Sequence, residues 1–301
     1  MNAIIWATAV ICLIVILLFV SYYFGKRHAL KTSPFSTQDT IAKPELLVEG
    51  ATFFQKMLED IDRAEHSVAI SFFIIKDDAL SRLFFSHLRQ AASRGVHVYL
   101  LVDRLGGYRI NKKTTTELKR SGIFFAFSHV PRLPYLAFTT LARNHRKIAV
   151  IDGRIGYLGG FNIGIDYLGG NPELGPWRDY HLRFQGNGVY HMHTSFLKDF
   201  NHASTLPFRE REPERCAPSR QNVNISFLMT DGNGLAEQLV KDIDQAECSI
   251  DIGSPYFIPN QKIMNALLKA LQRGVSVTLL VPKKPTIRSF KKLPSHTWIH
   301  C

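Results

Sequence analysis

Residues 60–70 read DIDRAEHSVAI, and residues 242–252 read DIDQAECSIDI, 182 positions later. Beyond the first stretch, RGVHVYLLV (94–102) is matched by RGVSVTLLV (273–281) at an offset of 179. Two matches in the same order at nearly the same offset mark a duplication. Ahead of the first copy, Phe53, Phe54, Met57, Leu58 and Ile61 recur at helical spacing. SVAISFFI then reads as a strand, a helix is expected from about Asp78 to Arg94, and VHVYLLV is an apolar run suited to a buried strand. Helix, strand, helix, strand, stated twice, predicts an α/β fold with helices covering a sheet.

Working outward, the N-terminus carries AIIWATAVICLIVILLFV (3–20), 18 residues without a charge. With Ser21 to Phe24 the run is long enough to cross about 30 Å of hydrocarbon as a helix. Trp6 near one end and Tyr22 and Tyr23 at the other suit the two interfaces. Lys26, Arg27 and Lys31 follow, and no charged side chain precedes the run, which places the C-terminal side in the cytoplasm. A cleaved signal peptide would need basic residues before the apolar stretch, and MNAIIWA has none. The expectation is a single-pass anchor in a bacterial-type cell membrane. Residues 1–25 are assigned to the anchor, 26–43 to a polar linker, 44–206 to the first repeat, 207–222 to a charged, proline-bearing linker, 223–282 to a partial second repeat, and 283–301 to an irregular basic tail.

Lys and Arg number 37 against 25 Asp and Glu, and the resulting charge of +12 favours anionic partners such as phospholipid headgroups, nucleic acid or phosphorylated metabolites. Charged residues make up 21%, too few for a disordered polyelectrolyte. Cys12, Cys216, Cys248 and Cys301 are scattered without a CxxC pair, so neither a zinc site nor a disulfide framework is indicated. His191-x-His193, in GVYHMHTSF, reads as surface or interface histidines rather than a metal site.

The chemistry is expected in RNHRKIAVIDGRIGYLGGFNIGIDYLGG (143–170) and the WRDYH that follows at 177–181. His145 and Lys147 stand two apart at the start of an apolar strand, so their side chains share a face. Asp152-Gly153 is a strong hairpin signal, with Ile155 to Leu158 returning. Gly159 and Gly160 permit a sharp bend and a close approach, which would deliver Asn162 beside the histidine and leave backbone N–H groups exposed there. An imidazole, an ammonium and a carboxamide converging with free N–H donors make a phosphate site.

This pattern resembles the HxKxxxxDxxxxxxGGxN signature of the phospholipase D superfamily, with every defining position filled. The duplicated halves, the N-terminal apolar run and the stretches NHRKIAVIDG, GGFNI and WRDYHLRFQG are together similar to bacterial cardiolipin synthases of the two-repeat type. The resemblance implies a layered α/β/α fold, complete in the first repeat and partial in the second. It implies that His145 attacks phosphorus to form a phosphohistidine, that Lys147 and Asn162 hold the phosphoryl oxygens with Gly160 beside them, and that Asp179 bonds the second nitrogen of His145. Asp152 completes the motif, and capping the hairpin is a better reading of it than general base. No cofactor or metal is expected.

The same resemblance implies a second HxK pair near position 324, beyond residue 301, and neither His296 nor His300 replaces it. The expectation is a phosphatidyltransferase that joins two phosphatidylglycerols and releases glycerol, without turnover by these residues alone. The alternatives are an inactive truncated relative and a homodimeric phosphodiesterase or nuclease. The membrane helix and the lack of an interleaved aromatic and basic patch argue against nucleic acid. An incomplete second half would expose strand edges and favour pairing with another chain. The segment LPYLAFTTL (133–141) suits either a lipid-facing element or the core.

Overall fold

In the computed structural model, residues 2–32, 35–172, 175–205, 223–255 and 257–281 are described. The apolar run forms a long helix, α1 (Asn2–Thr32), followed by β1 (Phe35–Leu47). The first repeat is α2 (Gly50–Asp62), β2 (Ser67–Phe72), α3 (Ala79–Ser93) and β3 (His97–Asp103), then α4 (Lys112–Arg120) and β4 (Phe124–Ser128). A short α5 (Leu136–Leu141) precedes the hairpin β5 (Ile148–Ile151) and β6 (Ile155–Gly159). Next come a 3-10 turn (Ile165–Leu168), β7 (His181–Gly186), α6 (Gly188–Ala203) and β8 (Val223–Thr230). The second repeat supplies α7 (Leu235–Gln245), β9 (Ser249–Gly253), α8 (Gln261–Gln272) and β10 (Ser276–Leu280).

The chain divides into two compact units, the first running from α1 through nearly all of β8 and the second holding α7 to β10. In the first, eight strands lie in the order β4-β3-β2-β5-β6-β7-β1-β8. β2, β3 and β4 are parallel, while β5, β6, β7 and β1 pair antiparallel, starting with β5 against β2. Strand alternation sorts the core into two layers. Val68, Ile70, Phe72, Val98, Leu100 and Val102 pack with Phe53, Met57 and Ile61 of α2 and Phe84 and Leu88 of α3. Ala69, Tyr99, Leu101, Ile148 and Val150 pack with Val189, Met192, Phe196 and Phe200 of α6. Burial on both faces explains why these strands read as continuous apolar runs. The result is the layered α/β/α arrangement expected from the sequence.

Local bonds fix where α3 begins and ends. Asp78 accepts from the Ser81 N–H at 3.0 Å while Ser81 Oγ accepts from the Asp78 N–H at 3.1 Å, a reciprocal cap at the start of α3. At the other end, Arg94 donates to the carbonyls of Ile61 and Ala64 at 3.0 and 3.3 Å. Arg273 does the same to Ile243 and Ala246, at 2.9 and 3.2 Å. The His97 N–H donates to the His66 carbonyl at 2.9 Å, and the Ser276 N–H to that of Cys248 at 3.0 Å. Equivalent positions of the two copies therefore make the same bonds, and β9–β10 is parallel like β2–β3. The duplication read from sequence is a duplication of structure.

Three expectations differ from what is observed. The stretch assigned to a linker (26–43) is the end of α1 and most of β1, which pairs with β7 from Ala42↔Gly186 to Leu47↔His181. Among the described side chains of that strand, Ala42 and Leu47 are the buried apolar ones, so its composition reads as polar. β8 belongs to the first sheet rather than to the second repeat. His193 is buried on the inner face of α6 rather than at the surface. The stretches 207–221 and 283–301 lie outside the described residues.

Close strand packing makes a prediction. A Cβ on Gly159 would stand 2.4 Å from the Tyr180 carbonyl oxygen and 2.5 Å from His181 Cα, both backbone atoms of the next strand or its approach. At Gly253 it would meet nothing within 4 Å. Gly159→Ala should lower stability by about 1–3 kcal/mol, and Gly253→Ala should leave the unfolding temperature of the detergent-solubilised protein unchanged. Equal Tm values for the two variants would contradict this packing.

Candidate active site

His145 and Lys147 sit just ahead of β5, and the residues on either side of His145 are fastened. Arg143 Nη1 donates to Asp103 Oδ1 at 3.1 Å, and the Asn144 N–H to Asp103 Oδ2 at 3.0 Å. Asp103 ends β3 and also accepts from the N–H groups of Leu105 and Gly106. Asp199 of α6 accepts from Asn144 Nδ2 at 2.8 Å and from Arg146 Nη1 at 2.8 and 2.9 Å. Two carboxylates from opposite layers thus hold the backbone on both sides of an exposed imidazole.

Lys147 is 2% exposed. Its ammonium donates to the His145 carbonyl at 2.8 Å and lies 2.9 and 3.3 Å from His145 Nδ1 and Nε2. It also stands 5.5 Å from the centre of the Phe73 ring, which in turn lies 4.6 Å from the His145 ring. Burial lowers the Lys147 pKa to about 8, against the opposing attraction of Asp179. Burial, and next the Lys147 charge, hold His145 below the usual imidazole value. At neutral pH the pair is therefore a neutral imidazole beside a protonated lysine, which suits a nucleophile next to an anion holder.

Asn162 is buried, and its Oδ1 accepts from the Ile74 N–H at 2.9 Å while Nδ2 donates to the Tyr167 hydroxyl at 3.0 Å. A carboxamide has two N–H donors, and these bonds use one of them. Gly160 departs from expectation. Its N–H donates to the Tyr180 carbonyl at 2.9 Å, and the Gly159 N–H donates to Lys147 O at 3.4 Å, so neither glycine presents a free donor. They are glycines because a Cβ on Gly160 would strike the Asp179 carboxylate, as one on Gly159 would strike the next strand. Asp179 is placed by that contact beside the pair, near enough to favour the charged forms of His145 and Lys147. Its hydrogen bond goes to the Tyr180 N–H at 2.8 Å rather than to His145, whose ring nitrogens face Lys147 instead.

Asp152 stands at the far end of β5 from the imidazole, with φ of 52°. It accepts from the N–H groups of Glu65, His66 and Ser67 at 2.8–2.9 Å, and so caps the entry to β2. It has no part in the cluster around His145. Sequence reasoning missed Asp103, Asp199 and Phe73. A carboxylate closing a buried strand, as in VHVYLLVD, was the available signal for Asp103; nothing local marks the other two. His181, from the WRDYH stretch, is also buried, stacked 4.1 Å from Phe53, and kept neutral by burial, with its pKa lowered to about 3. Among the described residues no cluster of three or more His, Cys, Asp or Glu could hold a metal.

The family described as "Cardiolipin synthase, PLD-like domain" matches residues 57–178 and 239–300, more than half of the chain. The second matched stretch runs through the basic region that composition sets apart as a tail. The chain is 38% identical over 242 residues to the minor cardiolipin synthase of Bacillus subtilis, covering 80% of this chain and 60% of that protein. It is 36% identical over 255 residues to the major cardiolipin synthase of the same organism, covering 80% of this chain and 51% of that one. The chain thus spans about half to three-fifths of the length of these relatives. The crystal structure of phosphatidylserine synthase from Haemophilus influenzae superposes with a TM-score of 0.58 at 16% identity, covering 87% of this chain and 66% of that chain, a likeness of fold. The chain belongs to the phospholipase D-like cardiolipin synthase family.

The buried lysine yields a test of stability. Unfolded, Lys147 holds its proton up to 10.5; folded, only up to about 8. Between those values the unfolded chain binds more protons, so this group costs most below pH 8 and its cost fades as pH rises towards 10.5. Lys147→Met should therefore stabilise the protein at pH 7 by an amount on the order of 3 kcal/mol, with the gain shrinking at higher pH. Thermal unfolding of both proteins across pH 7–10.5 checks this; a pH-independent difference would refute it.

Proposed function

We propose that this protein carries out the covalent half of a phosphatidyl transfer, with phosphatidylglycerol as donor and a second phosphatidylglycerol as acceptor. The observation that carries the reading is the exposed, neutral His145 fixed over the buried ammonium of Lys147. A ring nitrogen of His145 attacks phosphorus, the bond from phosphorus to the glycerol oxygen breaks, and glycerol leaves with a proton. Lys147 and the spare N–H of Asn162 take the charge that builds on the phosphoryl oxygens. The primary hydroxyl of the second lipid then attacks phosphorus, loses its proton, and breaks the N–P bond to free His145 and give cardiolipin.

Protonation of the departing glycerol needs an acid other than His145, whose nitrogen is occupied. No second HxK pair occurs within the 301 residues. The proposed reaction therefore needs a second proton donor and acceptor besides His145.

Protein reconstituted with phosphatidylglycerol is expected to show a phosphatidyl adduct on His145 by mass spectrometry, and cardiolipin and glycerol where a second histidine is supplied. His145→Ala should abolish both, and Lys147→Ala should slow adduct formation by about 100- to 1000-fold. The rate should rise as His145 loses its proton, below the usual imidazole pKa, and fall through about pH 8 as Lys147 loses its own. Cleavage of plasmid DNA without any lipid adduct would reassign the substrate.

A further inference from the structure

We infer that the segment Leu133–Leu141, containing α5, is a second membrane contact, lying at the boundary between acyl chains and headgroups and setting the mouth of the His145 site on the bilayer. This rests on the reading of α1 as a membrane-spanning helix. From sequence, LPYLAFTTL suits the core as well as it suits lipid. In the structure α5 contributes no buried residue. Leu133 is 79% exposed and Leu141 68%, with Val130 and Leu136 exposed as well. Four exposed apolar side chains within twelve residues, beside a basic site, form an apolar patch of the kind that marks an interaction surface.

The occupant follows from what α5 touches. The Ala137 N–H donates to Ser21 Oγ, and Ser21 Oγ donates to the Pro134 carbonyl, both at 3.2 Å. Phe138 packs on Tyr22 and, with Tyr135, closes over Gly25, where a Cβ would stand 2.5 Å from Phe138 Cβ. Tyr135 stacks on His28 at 5.7 Å. These partners belong to the stretch of α1 where apolar residues give way to Lys26, Arg27 and Lys31. With about 1.5 Å of rise per residue, that stretch lies at the interface if the uncharged run fills the hydrocarbon. Ala137 and Phe138 then reach the level of Ser21 and Tyr22, while Tyr135 stands level with the headgroups, where its amphipathic ring is favoured.

Charge agrees with this placement. Lys26, Arg27 and Lys31 of α1 and the exposed Arg132 beside α5 form a cationic fringe suited to anionic headgroups. Leu141 is four residues before His145, so a lipid drawn from the adjacent leaflet meets the nucleophile without leaving the interface.

The test uses the full chain in vesicles of phosphatidylglycerol and phosphatidylethanolamine, with Cys12, Cys216, Cys248 and Cys301 changed to Ser. An environment-sensitive fluorophore is placed by Leu133→Cys, Leu141→Cys, Val15→Cys on α1, or Gln90→Cys on the exposed side of α3. Nitroxide-bearing lipids report depth. Quenching at 133 and 141 by shallow nitroxides, at 15 by deep ones, and at 90 by neither is the expected pattern. Quenching at 15 without quenching at 133 and 141 would overturn the inference and leave the spanning reading of α1 intact. Absence of quenching at 15 would overturn both. Blue-shifted but unquenched probes at 133 and 141 in a dimeric protein would reassign the patch to a second copy of the chain, and so would also overturn it.

Discussion

A protonated lysine sealed beneath an exposed histidine is the constraint on which the site depends. Lys147 is removed from water without a carboxylate in hydrogen-bonding contact; its near partners are a carbonyl, an imidazole and an aromatic face. Such a charge is costly to bury, and the cost appears as a pKa of about 8. Binding an anion over His145 would supply the missing negative charge. In the proposed function, stability withheld from the free protein would be recovered when a phosphodiester arrives, and more strongly as charge builds on its oxygens. The same ammonium adds to burial in lowering the His145 pKa, so in the proposed reaction one buried cation would both hold the anion and help keep its attacker deprotonated.

The sheet meets this constraint by fixing the chain on each side of His145. Asp103 comes from the end of a parallel strand and Asp199 from the helix on the opposite layer, and they grip Arg143, Asn144 and Arg146. Neither aspartate bonds the imidazole ring, whose nitrogens face the Lys147 ammonium at 2.9 and 3.3 Å. Asp179 approaches from a third direction, across Gly160, and acts on the pair through space. Under the proposed function, rigid elements on both sides of His145 would provide the orientation that in-line attack on phosphorus needs.

Much of the frame was legible because its signals are local or repeated. The αβαβ order follows from apolar spacing in Phe53–Ile61 and VHVYLLV, and the hairpin from Asp152-Gly153 between apolar runs. What escaped was non-local. β1 carries Lys43, Pro44 and an exposed Leu46, and exists because its backbone pairs with β7 about 140 residues away in sequence. The glycine pair suggested free N–H donors, yet the neighbouring strand uses them, and the residue choice answers to steric contact with Asp179 and His181. Asp179 could be named as a neighbour of the histidine, but the direction of its hydrogen bond depends on packing that no motif encodes.

The duplicated residues and the reactive residues are different sets. Arg94 and Arg273, clasping equivalent carbonyls in the two copies, secure the turn between a helix and its parallel strand. Within the first copy, the Arg94 guanidinium bonds Ile61 and Ala64 and not His145. The chemistry instead occupies the antiparallel hairpin that follows the repeated core, where β5 joins β2 and turns the sheet from parallel to antiparallel. At that junction β5 itself, Ile148–Ile151, is buried throughout, while His145 just ahead of it is exposed. Ahead of the strand the two residues differ in depth: His145 is exposed and Lys147 is buried. The reversal of strand direction is therefore what turns an ordinary layered fold into a place where a neutral imidazole and a buried cation can meet one anion.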